Sequence, residues 1–100
     1  MKQEILNLLG LAKKAGKIVS GEDSVLISLQ RLKAKLVFVA KDASSQTIDK
    51  FDKKCFFYKV KMINDFDTNE ISNAIGQERK VICLIDDGFA KAIKEKMEVQ

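Results

Sequence analysis

Apolar and polar positions divide the chain into nine segments. In residues 3–15 the side chains Ile5, Leu8, Leu9, Leu11, Ala12 and Ala15 recur at helical spacing. Lys13 and Lys14 close that segment, where cations suit a helix dipole, and Gly16 is the expected left-handed stop. A short strand, Lys17-Ile18-Val19, leads into Ser20-Gly21-Glu22-Asp23. Ser20 with an acid three residues later fits a capping box. The spacing predicts a second helix from there to about Leu32, burying Val25, Leu26, Leu29 and Leu32. Residues 36–40, Leu-Val-Phe-Val-Ala, form an unbroken apolar run, the mark of a strand covered on both faces.

Ser44 or Ser45 opens a third helix with the apolar stripe Ile48, Phe51 and Cys55, and residues 56–60 read as the next strand. Asp67-Thr68-Asn69-Glu70 is a second capping box, starting a short helix with Ile71, Ala74 and Ile75 inside and Gly76 as its stop. Residues 81–85 form another fully apolar strand. Asp86 or Asp87 caps a last helix that turns Phe89, Ala90, Ile93 and Met97 inward. The order α-β-α-β-α-β-α-β-α predicts an α/β fold. We expect a three-layer α/β/α sandwich with a mixed central sheet of about four strands. At 100 residues, one domain spanning residues 1–100 is expected.

Composition narrows the chemistry. The chain has no histidine and two cysteines, 28 residues apart. A structural zinc site needs about four nitrogen or sulfur ligands, so none is expected, and Cys55 and Cys83 read as buried free thiols. Without histidine the commonest general base is missing, and the sequence points away from an enzyme. Neither common glycine-rich phosphate loop occurs, and no cofactor is implied. No apolar run approaches the roughly 18–20 residues of a membrane span, so a cytoplasmic protein without a membrane partner is expected.

Charge adds a place to look. The whole chain carries +4, whereas Lys13, Lys14, Lys17, Arg31, Lys33, Lys35 and Lys41, opposed only by Glu22 and Asp23, give residues 13–41 a net +5. On the sequence these cations bracket the Ser20-Gly21 helix start, whose free N–H groups favour phosphate. A polyanion is the expected partner, held by phosphate contacts. Phe38, Phe51, Phe56, Phe57 and Phe89 fall at core-like positions, leaving only Tyr58 and Phe66 open, so recognition of a folded RNA shape fits better than stacking of single-stranded bases. Asp42, Asp86 and Asp87 follow buried strands and would suit magnesium, but each also suits a helix cap.

Several longer stretches carry a resemblance. They are residues 8–17 (Leu-Leu-Gly-Leu-Ala-Lys-Lys-Ala-Gly-Lys), Ser20-Gly21-Glu22 and residues 33–44 (Lys-Ala-Lys-Leu-Val-Phe-Val-Ala-Lys-Asp-Ala-Ser). Ala74-Ile75-Gly76 and Asp87-Gly88-Phe89-Ala90 complete them. Together they resemble a bacterial member of the kink-turn-binding ribosomal protein family, the L-seven-A-e and L-thirty-e superfamily, over nearly the whole chain. The resemblance implies an α/β/α sandwich that binds structured RNA of ribosomal or other kink-turn-like type. It implies that the turn after the first strand reads sheared G·A pairs through a Gly-x-Asn-Glu-x-x-Lys motif, while the loop before the last strand covers a flipped-out nucleotide.

On this sequence the motif glycine is Gly21, but Asp23, Ser24 and Ile27 stand at the Asn, Glu and Lys positions. An ionised Asp only accepts hydrogen bonds, and an Ile has no charge to contribute. The covering loop is Gln77-Glu78-Arg79-Lys80. The expected RNA-binding set is therefore Lys13, Lys14, Lys17, Ser20, Gly21, Glu22, Asp23, Ser24, Lys35, Lys41, Arg79 and Lys80, on a non-catalytic, ribosome-associated protein. The alternative is a protein–protein adaptor that kept the fold and lost strict kink-turn recognition, for which an exposed Ile27 would suit a protein partner.

Overall fold

A computed structural model describes residues 2–98. Its elements are α1 (Lys2–Lys14), β1 (Ile18–Ser20), α2 (Glu22–Gln30), β2 (Leu36–Val39), α3 (Ser45–Tyr58), β3 (Met62–Ile63), α4 (Thr68–Ile75), β4 (Val81–Leu84) and α5 (Asp87–Glu98). The strands lie in the order β1-β4-β2-β3. β4 is antiparallel to β1 and to β2, and β3 is parallel to β2, so β1, β2 and β3 all point one way. α2 and α3 cover one face of the sheet, and α1, α4 and α5 cover the other. This is the three-layer arrangement expected from the alternation of elements.

Both central strands are buried at every position, as their unbroken apolar runs require. Phe38 of β2 is fully buried and its ring lies 6.0 Å from that of Phe66, which is also core. α1 contributes Ile5, Leu9 and Ala12 to this core, while Leu11 is half-exposed. Gly10 sits in the middle of α1 because a Cβ there would lie 3.2 Å from the Ala74 carbonyl oxygen of α4. That close approach sets the α1–α4 spacing. Cys55 and Cys83 are buried free thiols, and burial pushes their pKa values up to about 12 and about 11, so neither is a thiolate at neutral pH.

Three parts of the sequence reading need correction. The strand expected at residues 56–60 is not one: α3 continues to Tyr58, and the strand is Met62–Ile63. The inward stripe through Phe51, Cys55 and half-buried Tyr58 keeps helical spacing, and this outweighs the strand preference of the aromatic run. Continuation of the helix turns Phe56 and Phe57 outward, 88% and 73% exposed, rather than into the core. α2 stops at Gln30, and Leu32, expected inside, is exposed with a left-handed φ of 60°. Ser20 caps nothing, because it ends β1 opposite Ile82 and Gly21 is the N-cap of α2. The capping box at Asp67 is present as expected: its side chain accepts from Glu70 N, and Glu70 Oε1 accepts from Asp67 N.

Candidate nucleic-acid interface

Because β1 and β2 are parallel and β4 runs back between them, the turn leaving β1, the turn leaving β2 and the loop entering β4 meet at one end of the sheet. Gly21 N donates to Val81 O at 2.9 Å, and Ala40 N donates to Lys80 O at 2.8 Å. These two bonds seat residues 77–80 between the start of α2 and the turn after β2. Ser72 Oγ of α4 holds the loop from behind, accepting from Arg79 N at 3.0 Å. Arg79 Nη1 in turn donates to the Glu78 carbonyl.

The start of α2 has its own geometry. Gly21 has φ 98° and ψ 146°, a region that residues with a Cβ rarely enter. Ser44 caps α3, Asp67 caps α4, and Asp86 Oδ2 accepts from Phe89 N at the start of α5, but no side chain caps α2. Its first N–H groups therefore face outward beside exposed Asp23 and Ser24. Glu22 is turned aside: its carboxylate meets Lys50 Nζ at 3.5 Å and accepts from Thr47 Oγ1 at 3.4 Å, tying α2 to α3. Ile27 is 46% exposed on α2, a lone apolar group of a kind ordinary on protein surfaces.

On the other side of the loop, Asp42 accepts from Thr68 N at 2.9 Å and from Thr68 Oγ1 at 2.7 Å. Lys80 Nζ donates to the same hydroxyl at 3.1 Å. Asp42 is thus engaged in fixing the start of α4, and Asp86 in starting α5. Hydrogen bonds from Thr68, side chain first and backbone second, hold the Asp42 carboxyl below its ordinary value of 3.8. A depressed carboxyl stabilises the fold above the unfolded-state pKa, and this contribution drains away as pH falls toward the lower folded-state value. The stability difference between the parent and Asp42→Ala, measured by urea unfolding, should be full near neutral pH and shrink below about pH 4. A difference independent of pH would contradict the Thr68 linkage.

The expected site residues divide between two ends of the molecule. Ser20, Gly21, Glu22, Asp23, Ser24, Lys41, Arg79 and Lys80 gather around the loop just described. Lys17 and Lys35 do not. Ile85 N donates to Lys17 O and Lys35 N donates to Leu84 O, which places both lysines where β4 ends, at the opposite edge. Lys13 and Lys14 end α1 near that edge, since Lys17 N bonds back to Ala12 O, although Lys13 Nζ reaches Gln77 Oε1 at the base of the loop. The bracketing of Gly21 by lysines holds along the chain but not in space: residues entering the parallel strands lie at one end, residues leaving them at the other. At the Gly21 end Lys41, Arg79 and Lys80 stand beside Glu22, Asp23 and Asp42, a mixed rather than uniformly positive surface.

An α/β/α sandwich with three turns converging on an uncapped helix start is a small domain built to present loops at one sheet end. The structure of a protein with unknown function from Bacillus halodurans superposes with a TM-score of 0.90 at 32% identity, covering 94% of this chain and 96% of that one. The Giardia lamblia 15.5 kD RNA binding protein superposes with a TM-score of 0.84 at 22% identity, over 97% of this chain and 87% of that one, a likeness of fold. In sequence, RNA-binding protein YlxQ of Enterococcus faecium is 43% identical over 97 residues, covering 97% of this chain and 94% of its own length. Its namesake from Bacillus subtilis is 42% identical over 87 residues, 86% of this chain and 87% of its own. The ribosomal protein L7Ae/L30e/S12e/Gadd45 family profile matches residues 3–95, and the chain belongs to that family.

Proposed function

We propose that this protein binds structured RNA, of kink-turn-like type, through the Gly21 end of the sheet. One observation carries the reading: Gly21 N, at the uncapped start of α2, donates to Val81 O at the beginning of β4, which sets residues 77–80 beside that helix start. Outward N–H groups at a helix start bind phosphate oxygens or base-edge acceptors, and Lys41, Arg79 and Lys80 supply charge for the adjoining backbone. Family membership and the names of the YlxQ relatives support RNA as the ligand class.

The contact surface we assign is Gly21, Asp23, Ser24, Lys41, Arg79 and Lys80. Glu22 orients α2 through Lys50 and Thr47, and Ser20 pairs within the sheet. Asp23 takes the Asn position with acceptors alone and Ser24 takes the Glu position with a shorter side chain, so backbone N–H groups carry more of the recognition. Action within the ribosome is part of the same proposal and rests on the family alone.

Alanine at Lys41 and at Lys80 should each weaken binding to a kinked RNA duplex and make log K less steep in log salt, by about one unit for each phosphate no longer neutralised. Titrations across a salt series check this. Unchanged affinity and an unchanged slope in both variants would place the RNA elsewhere.

A further inference from the structure

The end opposite Gly21 has a composition that the proposed function does not use. One lysine stands immediately before each parallel strand: Lys17 before β1, Lys35 before β2 and Lys61 before β3. Since β1, β2 and β3 point the same way, the three form a row along one sheet edge, with β4 between the first two. Adjacent strands are about 4.8 Å apart, so the row is stepped at roughly 5–10 Å. Arg31 and Lys33 leave α2 at this end, and Lys53, Lys54 and Lys59 belong to the end of α3. The acids nearest this end are Asp86 and Asp87, with Asp87 3.9 Å from Lys35, and Asp52, four residues before Phe56 on α3; the cations outnumber them.

Exposed aromatic surface accompanies this charge. Phe56 and Phe57 are among the most exposed large apolar side chains described, and Lys53 precedes them by three and four residues on the same helix face. Phe57 packs edge-on against Tyr58, with ring centroids 4.9 Å apart. Tyr58 lines a cleft of about 480 Å³ shared with Leu32, Lys35, Lys59, Lys91 and Lys94. Among the described residues, the non-glycine positions with positive φ are Leu32 and Lys59, each at 60°, and both line this cleft. Lys59 is the left-handed C-cap of α3 and Leu32 follows the C-cap of α2, so two helix ends shape the cleft.

We infer that this end is a second RNA-binding surface, one that takes a single-stranded segment by stacking bases on Phe57 and Phe56 while the lysine row holds its phosphates. Solvent-exposed aromatics among an excess of cations are what sequence-tolerant single-strand binding needs. The occupant is polyanionic because the surface is strongly cationic: a protein partner for so many lysines would have to be strongly acidic, whereas RNA brings both the charge and the flat rings. The described residues span 27 × 26 × 25 Å, so a strand leaving a duplex at the Gly21 end has a short path to the aromatics. This surface is distinct from the Gly21 contact and stands or falls separately from it.

The protein has one tyrosine and no tryptophan, so Tyr58 emission reports on this end alone. Titration with a short oligouridylate should change that emission saturably. Phe56→Ala/Phe57→Ala should weaken oligouridylate binding about tenfold or more, read by anisotropy of a labelled strand because Tyr58 loses its neighbour. Both side chains are exposed, so the variant should unfold at the parental urea concentration. Lys41→Ala/Lys80→Ala should leave oligouridylate binding unchanged, and the phenylalanine variant should still bind a kinked duplex lacking single-stranded tails.

Unchanged oligouridylate affinity in the phenylalanine variant would overturn the inference, as would loss of that affinity in the Lys41/Lys80 variant. So would a phenylalanine-dependent dimer in sedimentation that oligouridylate fails to dissociate. Failure of the kinked duplex to bind the parent protein would count against the Gly21 contact only.

Discussion

Replacing Gly21 by alanine should weaken binding to structured RNA by about tenfold or more while the fold survives. The cause is conformational, not steric. A Cβ on Gly21 would meet nothing within 4 Å, yet the backbone there sits at φ 98° and ψ 146°. Alanine enters that region at a cost of about 1–3 kcal/mol, which the chain relieves by rotating the turn. Rotation moves the first N–H groups of α2 and strains the Gly21 N to Val81 O bond that locates residues 77–80. Both halves of the proposed contact are then displaced. Gly16→Ala provides the control, because Gly16 has φ 72°, equally open surroundings and a place at the other end of β1. It should lower stability while leaving affinity for the kinked duplex intact. Equal losses of affinity in the two variants would mean that Gly21 acts through general stability and not through the local geometry of α2.

Much of this architecture is legible in the sequence, and the places where it is not have physical causes. The buried central strands announce themselves as apolar runs, and Asp67 with Glu70 announces α4, because each signal is local. The end of α3 is harder to place. Cys-Phe-Phe-Tyr is strand-like by propensity, but a helix already begun at Ser45 keeps Phe51 and Cys55 in the core by continuing, and continuation strands Phe56 and Phe57 in solvent. Leu32 resembles a core position for a similar reason: its spacing from Leu29 is helical, but α2 ends first.

The candidate site is legible in part. Gly21 and residues 77–80 stand out by motif, and the structure bonds Gly21 to Val81, the residue that follows that loop. Lysine placement depends on strand direction, which no window of sequence contains. Lys17 and Lys35 are four residues before Gly21 and six before Lys41, and a parallel pair of strands carries both to the far edge. Once the sheet order is known, the pattern of one lysine before each of β1, β2 and β3 can be read from the sequence directly. The Glu22–Lys50 and Asp42–Thr68 contacts, 28 and 26 residues apart, likewise follow from topology and not from any local signal.

The second large effect concerns the RNA itself. A kink-turn duplex carrying its sheared G·A pairs should bind more tightly than the same duplex with those pairs replaced by Watson–Crick pairs. Each good base contact is worth about 1–3 kcal/mol of discrimination, and the straight duplex also narrows the groove that, on the proposed reading, the start of α2 enters. Asp23, Ser24 and Ile27 replace the usual motif side chains, which removes part of this discrimination, but the N–H groups of the α2 start and the Gly21 turn remain. A preference of about tenfold or more for the kinked form is therefore expected. The most direct measurement is a side-by-side titration of the two duplexes, both without single-stranded tails, across a salt series. A kinked-form preference that persists as salt rises, while both affinities fall, is the predicted result. Equal affinity for the two duplexes at every salt concentration would contradict recognition through the Gly21 end.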